Sequence, residues 1–384
     1  MAEALLEDLA QAARSPDALT ILLAGDVVLD AEDPDHWLSG IAPAVRAADV
    51  AIAHLEVPHT RRGAERAGDV PASPAAPEHL DALARAGFAA VSLGGNHIAD
   101  FGPDGIEDTI ARLDALGIAH AGAGATLAAA RAPAALECRG RRIGLLSYNC
   151  VGPESAWATP NRAGCNYLRI ATADGAPVAP LAKLTELTEE ALWRLTDDIV
   201  AARGSADLVI VALHKGIVHT PAVLAPYERP LAVAALAAGA DIVVGHHAHI
   251  LRGIELRRGR PVFHGLGNAC VVTRALDPGQ HHAARAAWAM RRRELFGFEP
   301  DPRFPLAPFH PEAVHGALGI VIADAQGRLE AGVVPLHVEP PGRPVCARDA
   351  CGEAVVAYLE RIGAAAGLPA RSWRRQSDSL WMCA

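Results

Sequence analysis

The sequence predicts an α/β protein built in layers, and three observations predict it. Short apolar, β-branched runs, each long enough for one buried strand, recur along the chain. Stretches with helical spacing separate them. Six of the runs end abruptly at His, Gly, Asn, Asp or Glu: Ile21 to Asp26, Val50 to Glu56, Ala89 to His97, Leu208 to His214, Val243 to Ile250 and Pro261 to Asn268. Open α/β sheets bind ligands outside the carboxyl ends of their strands, so stops of this kind can converge on one crevice.

In chain order, Leu5, Leu6, Leu9 and Ala13 give residues 3–14 the spacing of a short helix. A strand over 19–24 ends at Gly25-Asp26, and a turn-rich stretch around Asp30 to Asp35 leads into a helix near 36–47. The strand 49–54 stops at His54-Leu55-Glu56, and the Gly, Ala, Pro and charge of 61–77 read as an exposed loop. A helix over 77–87 has Gly87 placed to cap it, before the strand 89–93 and the loop Gly94 to Asp100. A helix over 103–116 closes at Gly117. Further strands are expected at 141–148 and 208–213, with a long helical segment at 184–203 between them.

Beyond the last of these strands the character changes. Gln280 to Pro311 collects His281, His282, Trp288, Arg291, Arg292, Arg293 and four of the seven Phe residues. An aromatic and basic insertion at about 277–315 reads either as a lid over the crevice, with Trp288, Arg291, Arg292 and the nearby His264 touching substrate, or as a surface helix and loop. A run of arginines is by itself usually a solvated face. Residues 317–338 then supply two strands around the turn Ala325-Gln326-Gly327-Arg328, and 349–366 a final helix. The tail 371–384 shows no pattern. With no repeat and no long linker, one domain over 1–384 is expected, ending in a helix and tail at about 345–384.

The totals narrow the function. A net charge of −9 with arginines spread throughout offers no basic face, so nucleic acid is excluded as a partner and a peptide or small anionic molecule is expected. No run approaches the ~20 apolar residues of a membrane span, and the acidic start lacks a signal peptide's basic and apolar regions. Seven cysteines without a CxxC pair suit reduced thiols, and the expected location is cytoplasmic. Oligomeric state is not encoded in any pattern.

A divalent cation needs rigid oxygen and neutral imidazole ligands. His247 and His249, at alternate positions leaving a strand, are expected on one side. With Asp26, Glu56, Asn96 and His214 at comparable strand ends they make a metal-ligand set; His246, facing the other way, is assigned a structural role. His59, His219, His264, His281 and His282 lie near these loops, each more simply structural on its own.

The ordered set Gly25-Asp26, Leu55-Glu56-Val57-Pro58, Gly95-Asn96-His97, His214-Lys215-Gly216, Gly239-Ala240-Asp241, Gly245-His246-His247-Ala248-His249 and Gly265-Leu266-Gly267-Asn268 resembles the CapA-like branch of the calcineurin-like metallophosphoesterase superfamily. The resemblance implies two β-sheets sandwiched between helices. It implies metal ligation by Asp26, Glu56, Asn96, His214, His247 and His249, an acid/base role for His97, and an orienting role for Asp100. The chain departs from the two-metal pattern at Val28, where an imidazole is usual, at Glu56, where a bridging Asp is usual, and at His54, where Asn is common; Lys215 stands where CapA-like proteins often carry Trp. Fewer nitrogen ligands favour Ca2+, Mn2+ or Mg2+ over Zn2+, one or two per chain.

Two enzyme readings follow, and one that is not enzymatic. In the first, His97 with Asp100, and Asp26 with His247 or His249, move a proton at a carbon beside a carbonyl. The chain is similar to soluble CapA-like proteins that epimerise the C-terminal residue of a lasso-peptide precursor. In the second, metal-activated water hydrolyses a phosphoester or a γ-glutamyl amide and His97 protonates the leaving group. The third is a binding protein that kept the fold and lost the chemistry.

Overall fold

The computed structural model describes residues 7–9, 17–66, 72–277 and 279–383. Of the helix expected over 3–14 only residues 7–9 are described, and they are helical; the rest of it and part of the 61–77 loop lie outside the described residues. Two sheets dominate. The larger runs in the spatial order Trp373–Arg375, Trp381–Cys383, Leu329–Glu339, His315–Ala323, Leu19–Leu29, Val50–Leu55, Ala90–Ser92, Ala119–Ala121, with Asn268–Val272 and Arg343–Cys346 paired beside this path. The smaller has the order Ile254–Arg257, Arg260–Phe263, Ile242–His246, Leu208–His214, Arg141–Asn149, Ala134–Cys138.

Successive strand residues face opposite sides, and both sides are buried. Ile21, Leu23 and Ile52 pack against Leu145, Ile210, Ala212, Val244 and Phe263 of the other sheet. The alternate residues Leu22, Ala51 and Ala53, and Val209, Val211 and Val243 across the sandwich, join a cluster with helix residues such as Val45, Leu83, Leu195, Ile199 and Leu231. The chain thus forms two sheets with helices outside. This two-sided burial explains why the strands read as continuous apolar runs instead of alternating ones. Between the sheets, Gly319 leaves room for the Phe263 ring, which an added Cβ would meet at 3.0 Å.

The structure revises several boundaries. The first strand does not stop at Ala24 but continues to Leu29, bending at a register shift around Asp26 and then pairing with Cys270, Val271 and Val272. Gly25 permits this: any Cβ there would fall 1.9 Å from the Gly267 carbonyl oxygen. The helix expected over 36–47 is two short helices, Pro34–Leu38 and Ala42–Ala47. The segment 184–203 is helical only over Glu189–Arg203, because Leu184–Leu187 pairs with Ile170–Thr172 and Thr188 caps the helix by accepting from Ala191 N–H at 3.1 Å. The patternless tail holds two three-residue strands that extend the larger sheet. All seven cysteines are free, and no helix among the described residues is long and apolar enough to cross a membrane.

Candidate metal centre and acid/base cleft

Parallel register brings the strand ends of both sheets to one place. In the larger sheet Asp26 pairs with His54 on one side and Asn268 on the other. In the smaller, His214 pairs with His246. The chain then leaves the strand at His246 in a turn where His247 (φ 83°) and His249 (φ 52°) adopt left-handed conformations, unusual for residues other than glycine. The turn is held by His247 N–H, which donates to both Asp26 carboxylate oxygens at 3.3 Å, and by the Ala248 carbonyl, which accepts from His219 N–H at 2.9 Å. The shared direction of His247 and His249 therefore comes from a strained turn, not from strand alternation.

The six expected ligands are brought together. His249 Nε2 lies 3.2 Å from Glu56 Oε1, and its Nδ1 lies 3.6 Å from Asp26 Oδ2 and donates to Asn268 Oδ1 at 2.9 Å. Ligand atoms of Asp26, Glu56 and His249 all fall within 4.8 Å of one another. Asn96 Oδ1 accepts from His214 Nε2 at 2.6 Å, and the His214 ring lies 4.8 Å from that of His247. His97 stands beside them, its Nδ1 2.7 Å from Asp100 Oδ2.

Electrostatics set this centre apart from a satisfied polar core. Both Glu56 oxygens, both His247 ring nitrogens and His214 Nδ1 are buried without a hydrogen-bond partner. Orphaned buried acceptors are costly, and converging ones suit a cation. Burial lowers the pKa of His247 to about 3 and that of His214 well below the usual imidazole value, so both are neutral, the form that binds metal. Burial and the charge of Glu56 raise Asp26 to about 8. Burial also opposes charge on His249, but Glu56 and Asp26 outweigh it and raise the ring to about 9. At His97 burial likewise pulls down, and the Asp100 charge and hydrogen bond more than offset it. The donor set fits a divalent ion, with Asp26, Glu56 and His249 as one close group of ligand atoms.

A cleft of about 70 Å³ opens over the centre. Glu56, Asn96, His97, His247 and His249 contribute to its lining, and so do Val28, Leu181, Trp288, Phe296 and Phe309. The aromatic insertion thus lines the cleft through Trp288, Phe296 and Phe309. Its arginines do not. Arg292 is buried, with its guanidinium on the carbonyls of Pro308 and Leu276, and Arg291 is a solvent-facing partner of Glu294 at 3.3 Å. His264 is also displaced from the expected substrate contact: it is buried behind the site, its Nε2 3.0 Å from Glu255 Oε1.

Two residues were not expected here as site residues. His219 (φ 55°) lines the cleft with its ring edge-on to Phe296 at 4.9 Å. His54 lies beside Asp26 and His214 under the centre. Its position two residues before Glu56 was the available signal, since strand alternation puts both on one side.

Residues 8–271 match the model of the family described as bacterial capsule synthesis protein PGA_cap. The chain is 24% identical over 266 residues to the capsule biosynthesis protein CapA of Bacillus anthracis, a match covering 66% of this chain and 60% of that protein. It is 31% identical over 272 residues to a probable polyglutamine synthesis accessory protein of Mycobacterium tuberculosis, covering 65% of this chain and 63% of the relative. The matches thus span under two thirds of these relatives' own length. Among solved structures, a calcineurin-like phosphoesterase from Bacillus subtilis aligns with a TM-score of 0.38 at 12% identity, over 90% of this chain and 97% of that one. By the sequence match over most of its length, the chain belongs to the bacterial capsule synthesis protein family PGA_cap.

Proposed function

We propose that this chain is a divalent-metal-dependent acid/base enzyme that inverts the α-carbon of a C-terminal residue in a ribosomally made peptide, such as a lasso-peptide precursor. The observation that carries the reading is the His97–Asp100 pair, 2.7 Å apart, with His97 on the wall of a cleft that also holds the buried Glu56 carboxylate. Asp100 accepts from Nδ1–H, which fixes the ring's tautomer and leaves the Nε2 lone pair as a base. His247, whose backbone N–H donates to Asp26 and whose two ring nitrogens have no hydrogen-bond partner, offers a second imidazole on the lining of the cleft. One imidazole removes the α-proton from one face, and a proton returned from the other face gives the opposite configuration.

A divalent cation bound by Asp26, Glu56 and His249 would supply positive charge for the oxygen on which negative charge develops. No Lys or Arg is among the described residues lining the cleft, so the peptide's carboxylate falls to that same charge. The apolar wall of Trp288, Phe296 and Phe309 suits an aromatic or large aliphatic side chain and excludes water from the reacting carbon.

Incubation of the full chain with Mn2+ and a candidate precursor peptide in heavy water tests this. One deuterium should enter at the C-terminal α-carbon. Release of phosphate or glutamate from model substrates with no deuterium gain would replace the reading with hydrolysis, in which His97 protonates the leaving group.

A further inference from the structure

Beside the cleft lies a larger groove of about 460 Å³, walled by residues 180–184, 216–220 and 295–297. The two share Leu181, Val218, His219 and Phe296, so they form one continuous surface. Their capacities differ. At roughly 10–15 Å³ for each water-sized group, the cleft's 70 Å³ takes roughly five to seven non-hydrogen atoms, about one side chain, and the groove roughly thirty to forty-five, enough for several residues.

The groove is preformed. Its 216–220 wall belongs to a loop held from behind by buried polar groups: Gly216 N–H donates to the Tyr227 hydroxyl at 2.7 Å, Ala225 N–H donates to Glu228 Oε1 at 2.6 Å, and Arg252 donates to the carbonyls of Ile217 and Val223. On this fixed backbone Ile217 is nevertheless 41% exposed, and Leu181 of the 180–184 wall is 45% exposed. Large apolar side chains kept open to solvent in a preformed groove suit a ligand that covers them.

His219 stands where cleft and groove meet. It is only 7% exposed, and its Nδ1 is buried without a hydrogen-bond partner. The rings of Phe296, Phe298 and Phe309, centred 4.9, 5.2 and 5.7 Å from its own, offer it none. A peptide bond crossing the junction supplies both a donor and an acceptor. Lys183, which is exposed, is the only Lys, Arg, Asp or Glu among the described residues lining the groove, so the charge there is positive.

We infer that the groove holds the residues preceding the inverted one in the peptide, with His219 on the peptide bond at the junction and Lys183 facing an acidic side chain. The inference rests on the peptide reading of the site, but its test reads binding and not the reaction.

Fluorescein-labelled synthetic Gly/Ala peptides ending in a free-carboxyl Trp, with Glu or Lys placed in turn at each of the four positions before it, are titrated with the full chain and Mn2+ and followed by anisotropy. At one position, or two adjacent ones, Glu should bind at least about threefold tighter than Lys, a preference that shrinks in high salt. Lys183→Glu should reverse the preference at that position and at no other. His219→Phe should weaken all the peptides by roughly twofold to tenfold. No binding, equal binding of Glu and Lys peptides at every position, a preference that Lys183→Glu leaves intact, or full affinity in His219→Phe overturns the inference. If His219→Phe lacks a cooperative melting transition, Lys183→Glu decides. Binding that ignores Lys183, with wild type self-associating in sedimentation and Leu181→Glu monomeric, overturns it in favour of a second copy of this chain in the groove. Lys183-dependent binding without deuterium entry at the α-carbon would keep the groove and remove the reaction assigned to the cleft.

Discussion

His249 Nε2 stands 3.2 Å from Glu56 Oε1, joining the turn after one sheet's strand to the end of a strand in the other. The larger sheet contributes the carboxylates Asp26 and Glu56, and the smaller contributes His214, His247 and His249. A cation held between them ties the sheets together at their carboxyl ends. Metal should therefore raise the melting temperature of wild type, with the shift growing as the logarithm of free Mn2+ above the dissociation constant. In Glu56→Gln and His249→Ala that shift should disappear, as read by thermal denaturation with and without Mn2+.

Asp100 touches His97 but no proposed ligand, so its loss should separate chemistry from metal binding. Asp100→Asn is expected to bind Mn2+ as wild type does and to lose about 10²–10⁴-fold in turnover, because the amide no longer enforces the productive tautomer. Elemental analysis beside the deuterium-exchange rate checks both halves; equal loss of metal and rate would assign Asp100 to the metal centre instead.

Behind the site, Lys215 Nζ is 2.6 Å from Glu228 Oε2 and 3.3 Å from the His264 carbonyl, with both side chains of the pair fully buried. Removing one partner of a buried pair leaves an uncompensated charge, at a cost of about 3–5 kcal/mol. Lys215→Met should show that loss in urea unfolding, and Lys215→Met with Glu228→Gln should recover most of it. A loss under about 1 kcal/mol in the single variant would show that the remaining buried guanidinium, Arg252, compensates Glu228 alone.

Glu255 gives a pH signature. Burial opposes its charge, but His264 at 3.0 Å and Arg229 at 3.1 Å prevail and hold its pKa at about 2, against 4.5 when free. A carboxylate with a lowered folded-state pKa binds fewer protons in the native state. Its contribution is therefore complete above pH 4.5 and is lost as pH falls from there toward 2. Glu255→Gln should flatten stability over that window, as measured by denaturant midpoints at pH 5 and pH 3. An unchanged pH slope would show that the network does not stabilise the ion.

The strand-end composition made the site legible before any geometry: apolar runs closed by Asp26, Glu56, Asn96, His214 and the His247-Ala248-His249 group predict a buried crevice with ligands at its floor. The reason the last two histidines converge was not legible, because left-handed backbone at both depends on Asp26 and His219 holding the turn from a distance. Arg292 misled for a similar reason. Its charge is visible in sequence, whereas the carbonyls of Pro308 and Leu276 that bury it come from the folded insertion. The strand at Leu184–Leu187 was hidden by its brevity and its helix-compatible composition, although the Thr188 cap marked where the helix begins.

The most direct test of the central claim is a crystal of the full chain soaked in Mn2+ and measured for anomalous scattering. The account predicts a peak bonded to Asp26, Glu56 and His249 at the floor of the cleft, beside His97. Anomalous density absent from that position, with Mn2+ bound elsewhere or not at all, would contradict it.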